Sequence, residues 1–207
     1  QRHGCGEDLR YARQGNVQER GVCGLPYQMY PMETGARQIG AAKTMEYEHI
    51  EHTFAPVYDA DSEVLILGTL PSVKSRENHF YYGHKQNRFW KVLATLLKEP
   101  VPHTIEEKKA MLLAHRIALW DVIQSCDIKG SSDSSIKNVQ PTDIGMILEK
   151  TNITRIYANG NKAGQLYKRY QFPVTGIEAM VLPSTSPANA AWSLERLCEA
   201  WHVILEQ

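Results

Sequence analysis

Four short apolar runs, separated by stretches with helical spacing, constrain the fold of this chain most strongly. The first, residues 64–67, reads Val-Leu-Ile-Leu and ends at Gly68, and the others span 117–120, 155–158 and 180–182. The third run opens with Arg155 and is otherwise apolar. Apolar runs of this length are typical of parallel strands that are covered on both faces. Their alternation with helical segments predicts an α/β fold: a three-layer sandwich with a central, mainly parallel four-stranded sheet flanked by helices.

Five segments carry helix signals. They begin near Phe89, Thr104, Thr142, Lys162 and Leu194. Thr104 and Glu107 have the spacing of a capping box, and Pro100 is predicted to stop the first of these helices. The Ser-rich stretch 127–135 is predicted to be a polar loop. In folds of this kind ligands lie beyond the carboxyl ends of the strands, so we expect the functional site in the loops after the four runs.

Composition places the chain among ordinary globular proteins, at 43% hydrophobic and 22% charged residues. Residues 1–44 differ, because they hold seven of the fourteen glycines without apolar periodicity. We predict a disordered or non-native extension over 1–44 and a folded domain over 45–207. No run approaches the roughly eighteen apolar residues that span a bilayer, and no secretory signal is evident. The expected setting is therefore cytoplasmic (the nucleoid) or nuclear and not secreted, without a membrane partner and as a monomer.

Charge is uneven although the net charge is zero. Residues 46–63 contain six acids and no Lys or Arg, whereas residues 74–91 contain five cations and a single acid. A local positive potential attracts an anion whatever the total charge is, so the second segment is the candidate for phosphate contacts. The four cysteines match no zinc or iron–sulfur spacing, and the eight histidines form no metal-binding pair. We predict no metal and no other cofactor.

The loop from Gly68 to Asn87 has the residue types of a nucleic-acid pocket. Ser72 can offer a hydroxyl and a backbone N–H to a phosphate, and the aromatic residues 80–82 can stack on a base. Asn87 has two open interpretations, as a ligand contact or as the cap of the helix that follows it.

Two further loops follow strands. Residues 182–189 combine three hydroxyls with two prolines before the last helix, which suits either an anion site or an ordinary turn with Ser caps. Asp121, at the end of the second run, can position a base edge, a water molecule or a neighbouring side chain, or can pair with a local backbone N–H. No Gly-rich phosphate loop, nucleophile elbow or paired Cys/His arrangement is present.

Three blocks of residues resemble the uracil-DNA glycosylase superfamily, in particular its branch of hypoxanthine-DNA glycosylases, also called DNA-deoxyinosine glycosylases. The blocks are Gly68-Thr69-Leu70-Pro71-Ser72, the segment from Phe80 to Lys91, and Val181 to Asn189. The second block and the final helix are also similar to the mismatch-specific uracil-DNA glycosylases. The resemblance covers residues 64–206 and assigns 45–207 as a catalytic domain.

Two departures from the mismatch-specific pattern affect the expected substrate. Leu70 stands where those enzymes carry an Asn that holds the attacking water, and a Leu side chain forms no hydrogen bond. Ser184-Thr185-Ser186 stands where several relatives carry His-Pro-Ser. Both departures are typical of the hypoxanthine branch, so the resemblance implies a deaminated purine as substrate.

The resemblance implies a monofunctional DNA glycosylase that hydrolyses the N-glycosidic bond of deaminated bases in DNA, first of all hypoxanthine, and initiates base excision repair. Asn87 is the catalytic candidate, which either binds the base or aligns the water. The base-binding candidates are Gly68, Thr69, Leu70, Tyr82, His84 and Asp121. The DNA-binding candidates are Ser72, Lys85, Arg88, Ser184, Thr185, Ser186 and Asn189, although Lys85 and Arg88 fit a solvated helix face equally well.

Two alternatives stay open at the level of sequence. The chain could be a uracil or mismatch-specific glycosylase, or a non-catalytic nucleic-acid-binding protein on the same fold.

Overall fold

A computed structural model describes residues 46–130 and 132–206. Its strands are β1 (Glu48–Glu51), β2 (Val64–Gly68), β3 (Ile117–Asp121), β4 (Ile123–Ile128), β5 (Lys137–Pro141), β6 (Arg155–Asn159) and β7 (Ala179–Leu182). Its α-helices are α1 (Val73–Glu77), α2 (Phe89–Leu97), α3 (Ile105–Ala114), α4 (Gly145–Leu148), α5 (Asn161–Tyr170), α6 (Phe172–Thr175) and α7 (Leu194–Trp201). The predicted extension over residues 1–44 lies outside the described residues.

The central sheet has the strand order β3-β2-β6-β7, and every neighbouring pair is parallel. All five residues of β2 and of β3 are buried, which requires cover on both faces of the sheet. This confirms the predicted α/β fold and its four strands, and the sheet is wholly rather than mainly parallel. Helices α3 and α5 pack on the sheet, and Phe89 of α2 meets Trp201 of α7 edge to face, with ring centroids 5.8 Å apart.

A second, antiparallel sheet of order β1-β4-β5 was missed by the sequence analysis. The prediction of a polar loop over 127–135 is wrong at its start, because β4 continues to Ile128 and only the following residues turn towards β5. Strand β5 is exposed or half-buried throughout, so no apolar period marks it. Its backbone hydrogen bonds to β4, and not burial, define it as a strand.

Helix boundaries follow capping chemistry more closely than proline positions. The capping box of Thr104 and Glu107 opens α3 as predicted. Helix α2 ends at Lys98 in a left-handed conformation, two residues before the Pro100 that was expected to stop it. The prediction that Thr142 caps a helix to about residue 150 is wrong: α4 has four residues, and the Thr142 hydroxyl donates instead to the backbone oxygen of Asp121 at 2.8 Å.

The described residues belong to one compact unit. Among them, no helix is both long enough and apolar enough to cross a membrane.

Candidate base-binding site

A cavity of about 580 Å³ lies at the carboxyl ends of the parallel strands, within the size range of small-molecule sites. Residues from all three sequence blocks line this cavity. The predicted site residues that line it are Gly68, Thr69, Leu70, Ser72, Tyr82, His84, Asn87, Asp121, Ser184, Thr185 and Ser186. The predicted residues Lys85, Arg88 and Asn189 are not part of the lining. Parallel strands bring these loops together because their carboxyl ends meet at one edge of the sheet.

Gly68 and Asp121 form what we call the floor of the cavity, where β2 and β3 approach each other closely. Gly68 pairs with Asp121 in the parallel ladder, and a Cβ atom on Gly68 would overlap Asp121 Oδ1. The Asp121 residue is only 4% exposed. Glycine at the end of β2 therefore makes the space that this carboxylate occupies.

The amide of Asn87 is oriented by two donors. Its Oδ1 accepts the backbone N–H of Phe89 at 3.0 Å and the hydroxyl of Thr185 at 3.0 Å. The first bond ties Asn87 to the first residue of α2, but the helix cap is Arg88, without a side-chain cap bond, and Asn87 remains in the cavity lining. Because both bonds end on the oxygen, the Nδ2 amino group is the part of the side chain left to donate to a ligand.

Thr185 is fully buried and joins Asn87 to Asn159. Its backbone N–H donates to Asn159 Oδ1 at 3.0 Å, and the Asn159 Nδ2 donates to its hydroxyl at 2.9 Å. The hydroxyl in turn donates to Asn87, so its single proton is used inside the protein. The predicted DNA contact of Thr185 stays a prediction; at 0% exposure, its observed hydrogen bonds position the catalytic candidate.

The guanidinium of Arg88 holds the last loop against the start of α2. It donates to the backbone oxygens of Thr185 (3.3 Å), Ser186 (2.7 Å), Asn189 (3.0 Å) and Trp192. These bonds differ from both roles considered at the sequence level, a phosphate contact and a solvated helix face. They indicate a structural role, in which one side chain ties residues 185–192 to the loop that carries Asn87.

The serines of the site already serve as local caps. Ser72 caps α1 by accepting the backbone N–H of Ser75 at 3.2 Å, and Ser186 accepts that of Ala188 at 3.3 Å. Ser184 accepts the N–H of Ser186 at 3.2 Å. Acceptance leaves the hydroxyl protons of Ser184 and Ser186 available, whereas the Ser72 hydroxyl also bonds to the Ser75 hydroxyl at 3.1 Å, where either can donate. The predicted phosphate contacts of all three stay predictions. The side chain of Asn189 instead donates to the Ser184 backbone oxygen at 2.9 Å and stiffens the loop.

Tyr82 combines an unusual backbone with a buried hydroxyl. Its φ of 52° is left-handed, which is strained for a bulky residue and recurs at functional sites. The ring stacks on Phe89 at a centroid distance of 3.9 Å. The hydroxyl makes no standard hydrogen bond to another described residue. Burial, followed by the nearby Asp121 charge, raises the pKa of Tyr82 far above its ordinary value, and the Asn159 amide opposes this only weakly.

His84 lines the cavity with a defined tautomer. Its Nδ1 accepts the backbone N–H of Gln86 at 3.2 Å, so a neutral ring carries its proton on Nε2. The neighbouring Lys85 is exposed, and its predicted phosphate contact stays a prediction. Two cations from the positive segment, Lys74 and Arg76, do line the cavity.

Two polar residues of the site were missed. Asn159 ends β6, at a strand end where the sequence analysis expected chemistry, and that position was the available signal. His52 places Nε2 at 3.0 Å from Asp121 Oδ2, across 69 positions of sequence, and no local pattern indicates this. Within residues 46–130 and 132–206, no group of His, Cys, Asp and Glu has the arrangement of a metal site.

Comparison with known proteins agrees with this geometry. The family model of the uracil DNA glycosylase superfamily matches residues 55–205. A Methanosarcina acetivorans protein named hypoxanthine DNA glycosylase is 36% identical over 157 residues, which are 75% of this chain and 98% of that relative. A Methanosarcina barkeri protein of the same name is 32% identical over 138 residues, 66% of this chain and 86% of the relative.

A solved structure has the same fold. It is the solution NMR structure of a Methanosarcina acetivorans protein provisionally named a uracil DNA glycosylase. It is 36% identical, covers 74% of this chain and 97% of its own, and superposes with a TM-score of 0.64. The family match, the shared fold and the cavity at the ends of the parallel strands lead to one conclusion: the chain belongs to the uracil DNA glycosylase superfamily.

Proposed function

We propose that this DNA glycosylase removes hypoxanthine from deoxyinosine in DNA and so initiates base excision repair. The observation that carries the proposal is the fixed amide of Asn87 in a cavity at the sheet edge. The names of the two Methanosarcina relatives support hypoxanthine as the base.

A base inside a duplex is out of reach of this cavity, so the target nucleotide must be flipped out. Flipping costs a few kcal/mol and is cheapest for a mispaired base, which favours a lesion over its normal neighbours. The cations Lys74, which pairs with Glu77 at 2.6 Å, and Arg76 line the cavity, and we expect them to attract the flanking phosphates. We expect the hydroxyls of Ser184 and Ser186, which each accept one backbone N–H, to donate to the same phosphates.

The reaction adds one water to the sugar and releases the base. The C1′–N bond breaks towards an oxocarbenium-like sugar and the bonding electron pair leaves with the base. Water attacks C1′ and gives up a proton, and the released base takes up one proton. Charge builds up on the departing base, so fixed donors aimed at it lower the barrier. Asn87 Nδ2 and His84 Nε2 are donors of the cavity whose orientation is set by other hydrogen bonds.

Asn87 is better suited to bind the base than to align the water. A water nucleophile needs an acceptor for its proton, and the Asn87 oxygen already accepts two hydrogen bonds. The amino group, by contrast, can donate to the carbonyl oxygen of hypoxanthine and stabilise the negative charge that the base gains on leaving.

Uracil is the second candidate substrate. It carries the same N–H next to a C=O that deamination creates in hypoxanthine, and the protein of the similar NMR structure is named for uracil. We expect hypoxanthine to be preferred, because the pocket lacks the amide at Leu70 that mismatch-specific uracil enzymes use.

The deciding experiment is alkaline strand cleavage of matched duplexes that carry one deoxyinosine or one deoxyuridine. Alkali breaks the strand only where a base has been removed. Preferential cleavage at deoxyinosine would support the proposal. Preferential cleavage at deoxyuridine would make uracil the substrate instead of hypoxanthine, and no cleavage at either would refute base excision.

The variant Asn87→Asp tests the donor role with little change of shape. A carboxylate still accepts from Phe89 and Thr185 but has no amino group, so we expect a rate loss of about 100-fold or more with the fold kept. The matched control is Asn152→Asp, outside the cavity lining, which should excise at the wild-type rate. A fully active Asn87→Asp enzyme would contradict the donor role.

Oligomeric state and location belong to the same proposal. We expect the protein to act as a monomer on DNA, in the nucleoid or the nucleus, and light scattering with and without duplex checks the first point.

A further inference from the structure

The backbone on both sides of Tyr82 is held by hydrogen bonds. In the peptide before it, the Tyr81 oxygen accepts the indole N–H of Trp90 at 3.2 Å. In the peptide after it, the Gly83 N–H donates to the Ser75 hydroxyl at 3.1 Å. Two planar peptide groups that are held in this way leave the residue between them little rotational freedom. These neighbours therefore impose the left-handed φ of Tyr82, which is 52°.

Helix α1 and its C-cap hold the loop that carries Tyr82. The Ser75 backbone oxygen accepts the N–H of Phe80 at 3.1 Å. The side chain of Asn78, the C-cap residue, donates through Nδ2 to the Gly83 oxygen at 3.2 Å. The approach is close, because a Cβ atom on Gly83 would lie 2.8 Å from Asn78 Nδ2. Glycine at position 83 therefore lets the loop lie directly on α1.

Ser75 and Asn78 act on the loop from different environments. Ser75 is 3% exposed, and its hydroxyl also bonds to that of Ser72 at 3.1 Å. Removing the Ser75 hydroxyl would leave the Gly83 N–H without its acceptor. Asn78 is exposed and lies outside the cavity lining, so it can affect a bound base only through the loop.

The conformation of this loop decides where the Tyr82 ring lies. One face of the ring stacks on Phe89 at 3.9 Å between centroids, and Tyr82 is part of the cavity lining. A flipped base would meet the ring from the cavity side, and stacking on an aromatic ring is a large part of base binding. Rotation of the Tyr82 backbone out of the left-handed region would redirect the side chain and take the ring off Phe89.

We propose that Ser75 and Asn78 are positioning residues for base binding: they hold Tyr82 in its left-handed conformation and so keep its ring in the cavity wall, where the flipped base stacks. A glycine at position 82 would adopt this conformation without strain, so the stability of the turn does not favour tyrosine. The place of the ring in the cavity wall gives a reason for the strain. The inference rests on the proposed function and deepens it.

The variant Ser75→Ala removes the hydroxyl that binds the Gly83 N–H. We expect kcat/KM on deoxyinosine to fall about tenfold, because the ring is no longer held where the base stacks. The affinity for an undamaged duplex should stay unchanged, since a duplex with its bases stacked places nothing in the cavity. Steady-state excision and duplex titration measure the two quantities.

The matched control is Ser62→Ala. Ser62 is also a buried serine whose hydroxyl accepts a backbone N–H, that of Asp59 at 3.0 Å, but it lies outside the cavity lining. Its loss should lower the stability as Ser75→Ala does and leave kcat/KM unchanged. Urea unfolding of both variants compares the two stability losses.

Asn78→Ala tests the second bond at an exposed position, where substitution is well tolerated by the fold. The Gly83 oxygen loses its donor, so we expect kcat/KM on deoxyinosine to fall about threefold to tenfold. Asn152→Ala is the control for this variant. Asn152 is exposed and also donates to a backbone oxygen, that of Ala60 at 3.1 Å, but it lies outside the cavity lining, so its loss should leave excision unchanged.

A double-mutant cycle separates positioning from stability. Tyr82→Leu alone should lower kcat/KM about 5- to 150-fold, because the stacking face is lost. In the Tyr82→Leu background the further change Ser75→Ala should cost less than about twofold, since no ring is left to position. A serine that acted independently of Tyr82 would still cost about tenfold there.

The failures are distinguishable. A wild-type protein that excises neither hypoxanthine nor uracil overturns the proposed function. If the wild-type enzyme is active, a folded Ser75→Ala variant with wild-type kcat/KM, or an equal loss with and without the Tyr82 ring, overturns this inference alone. If Ser75→Ala fails to fold, Asn78→Ala takes its place in the cycle and the same outcomes decide.

Discussion

The Thr185 hydroxyl donates to Asn87 Oδ1 at 3.0 Å, although the two residues are 98 positions apart. The bond joins the last loop of the sheet edge to the first, and Asn159 supports it from β6. The catalytic candidate is therefore oriented by a residue of another loop, whose single hydroxyl proton is used in this bond. The bond from Thr185 keeps the Asn87 amino group directed at the base, so no rearrangement is needed during the reaction.

Thr185→Val tests this support with a nearly equal side-chain volume. The change leaves the Asn159 amino group and one lone pair of Asn87 without partners, which costs about 1 to 3 kcal/mol in the free energy of unfolding. The Asn87 amide also becomes free to turn, so kcat should fall more than KM changes. Urea unfolding and single-turnover excision measure the two effects. Thr185→Ser, which keeps the hydroxyl, is the control, and equal activity of both variants would count against the support.

The sheet and the loops at its edge could be predicted because strands that are buried on both faces have continuous apolar sequences. Residues 64–67 are apolar throughout, and Gly68 marks the turn into the loop. The strand ends then identified Asp121 and the loop of Ser184 as candidates, since topology alone places them together. Local sequence and the rule for strand ends thus account for most of the cavity lining.

The sequence does not show which side chains far apart along the chain contact each other in the fold. Nothing near His52 indicates that it lies against Asp121, and nothing near Arg88 distinguishes a phosphate from a backbone oxygen as its acceptor. Strand β5 is missed for a related reason, because its residues pack little and only the pairing with β4 defines it. These features depend on tertiary contacts that no local period encodes.

The variant Arg88→Gln tests whether Arg88 has a structural role or binds a DNA phosphate. A residue that binds phosphate lowers the slope of log K against log salt by about one when it is removed, whereas a structural residue leaves the slope unchanged. We expect an unchanged slope for Arg88→Gln, together with a loss of about 2 to 3 kcal/mol in the free energy of unfolding. Titrations of duplex binding at several salt concentrations measure the slope.

Lys85→Gln is the counterpart of that experiment. Lys85 is exposed and next to the cavity residue His84, so we expect its removal to reduce the slope by about one and to leave stability unchanged. If Arg88→Gln and Lys85→Gln changed the slope equally, the structural role of Arg88 would be wrong.

Tyr82→Phe removes a buried hydroxyl that has no standard partner among the described residues. We expect the free energy of unfolding to stay equal or rise by about 1 kcal/mol, because an unsatisfied polar group is lost. Excision should continue, since the ring and its stacking on Phe89 are kept. Tyr82→Leu removes the aromatic face and should weaken binding of the flipped base by about 1 to 3 kcal/mol. An inactive Tyr82→Phe enzyme would instead assign the hydroxyl to the base.

Gly68→Ala tests the close approach at the cavity floor. The added Cβ atom would overlap Asp121 Oδ1, and its other near neighbour is the Tyr82 hydroxyl at 3.1 Å. The carboxylate must move, which costs about 1 to 3 kcal/mol of stability and displaces Asp121, a base-binding candidate in the cavity lining. We therefore expect deoxyinosine excision to fall further than the unfolding data alone explain. Gly145→Ala in α4 is the control, because its Cβ would meet only Asp143 Oδ1 at 3.2 Å. Wild-type excision by Gly68→Ala would show that the floor tolerates a displaced Asp121, and would weaken its assigned role.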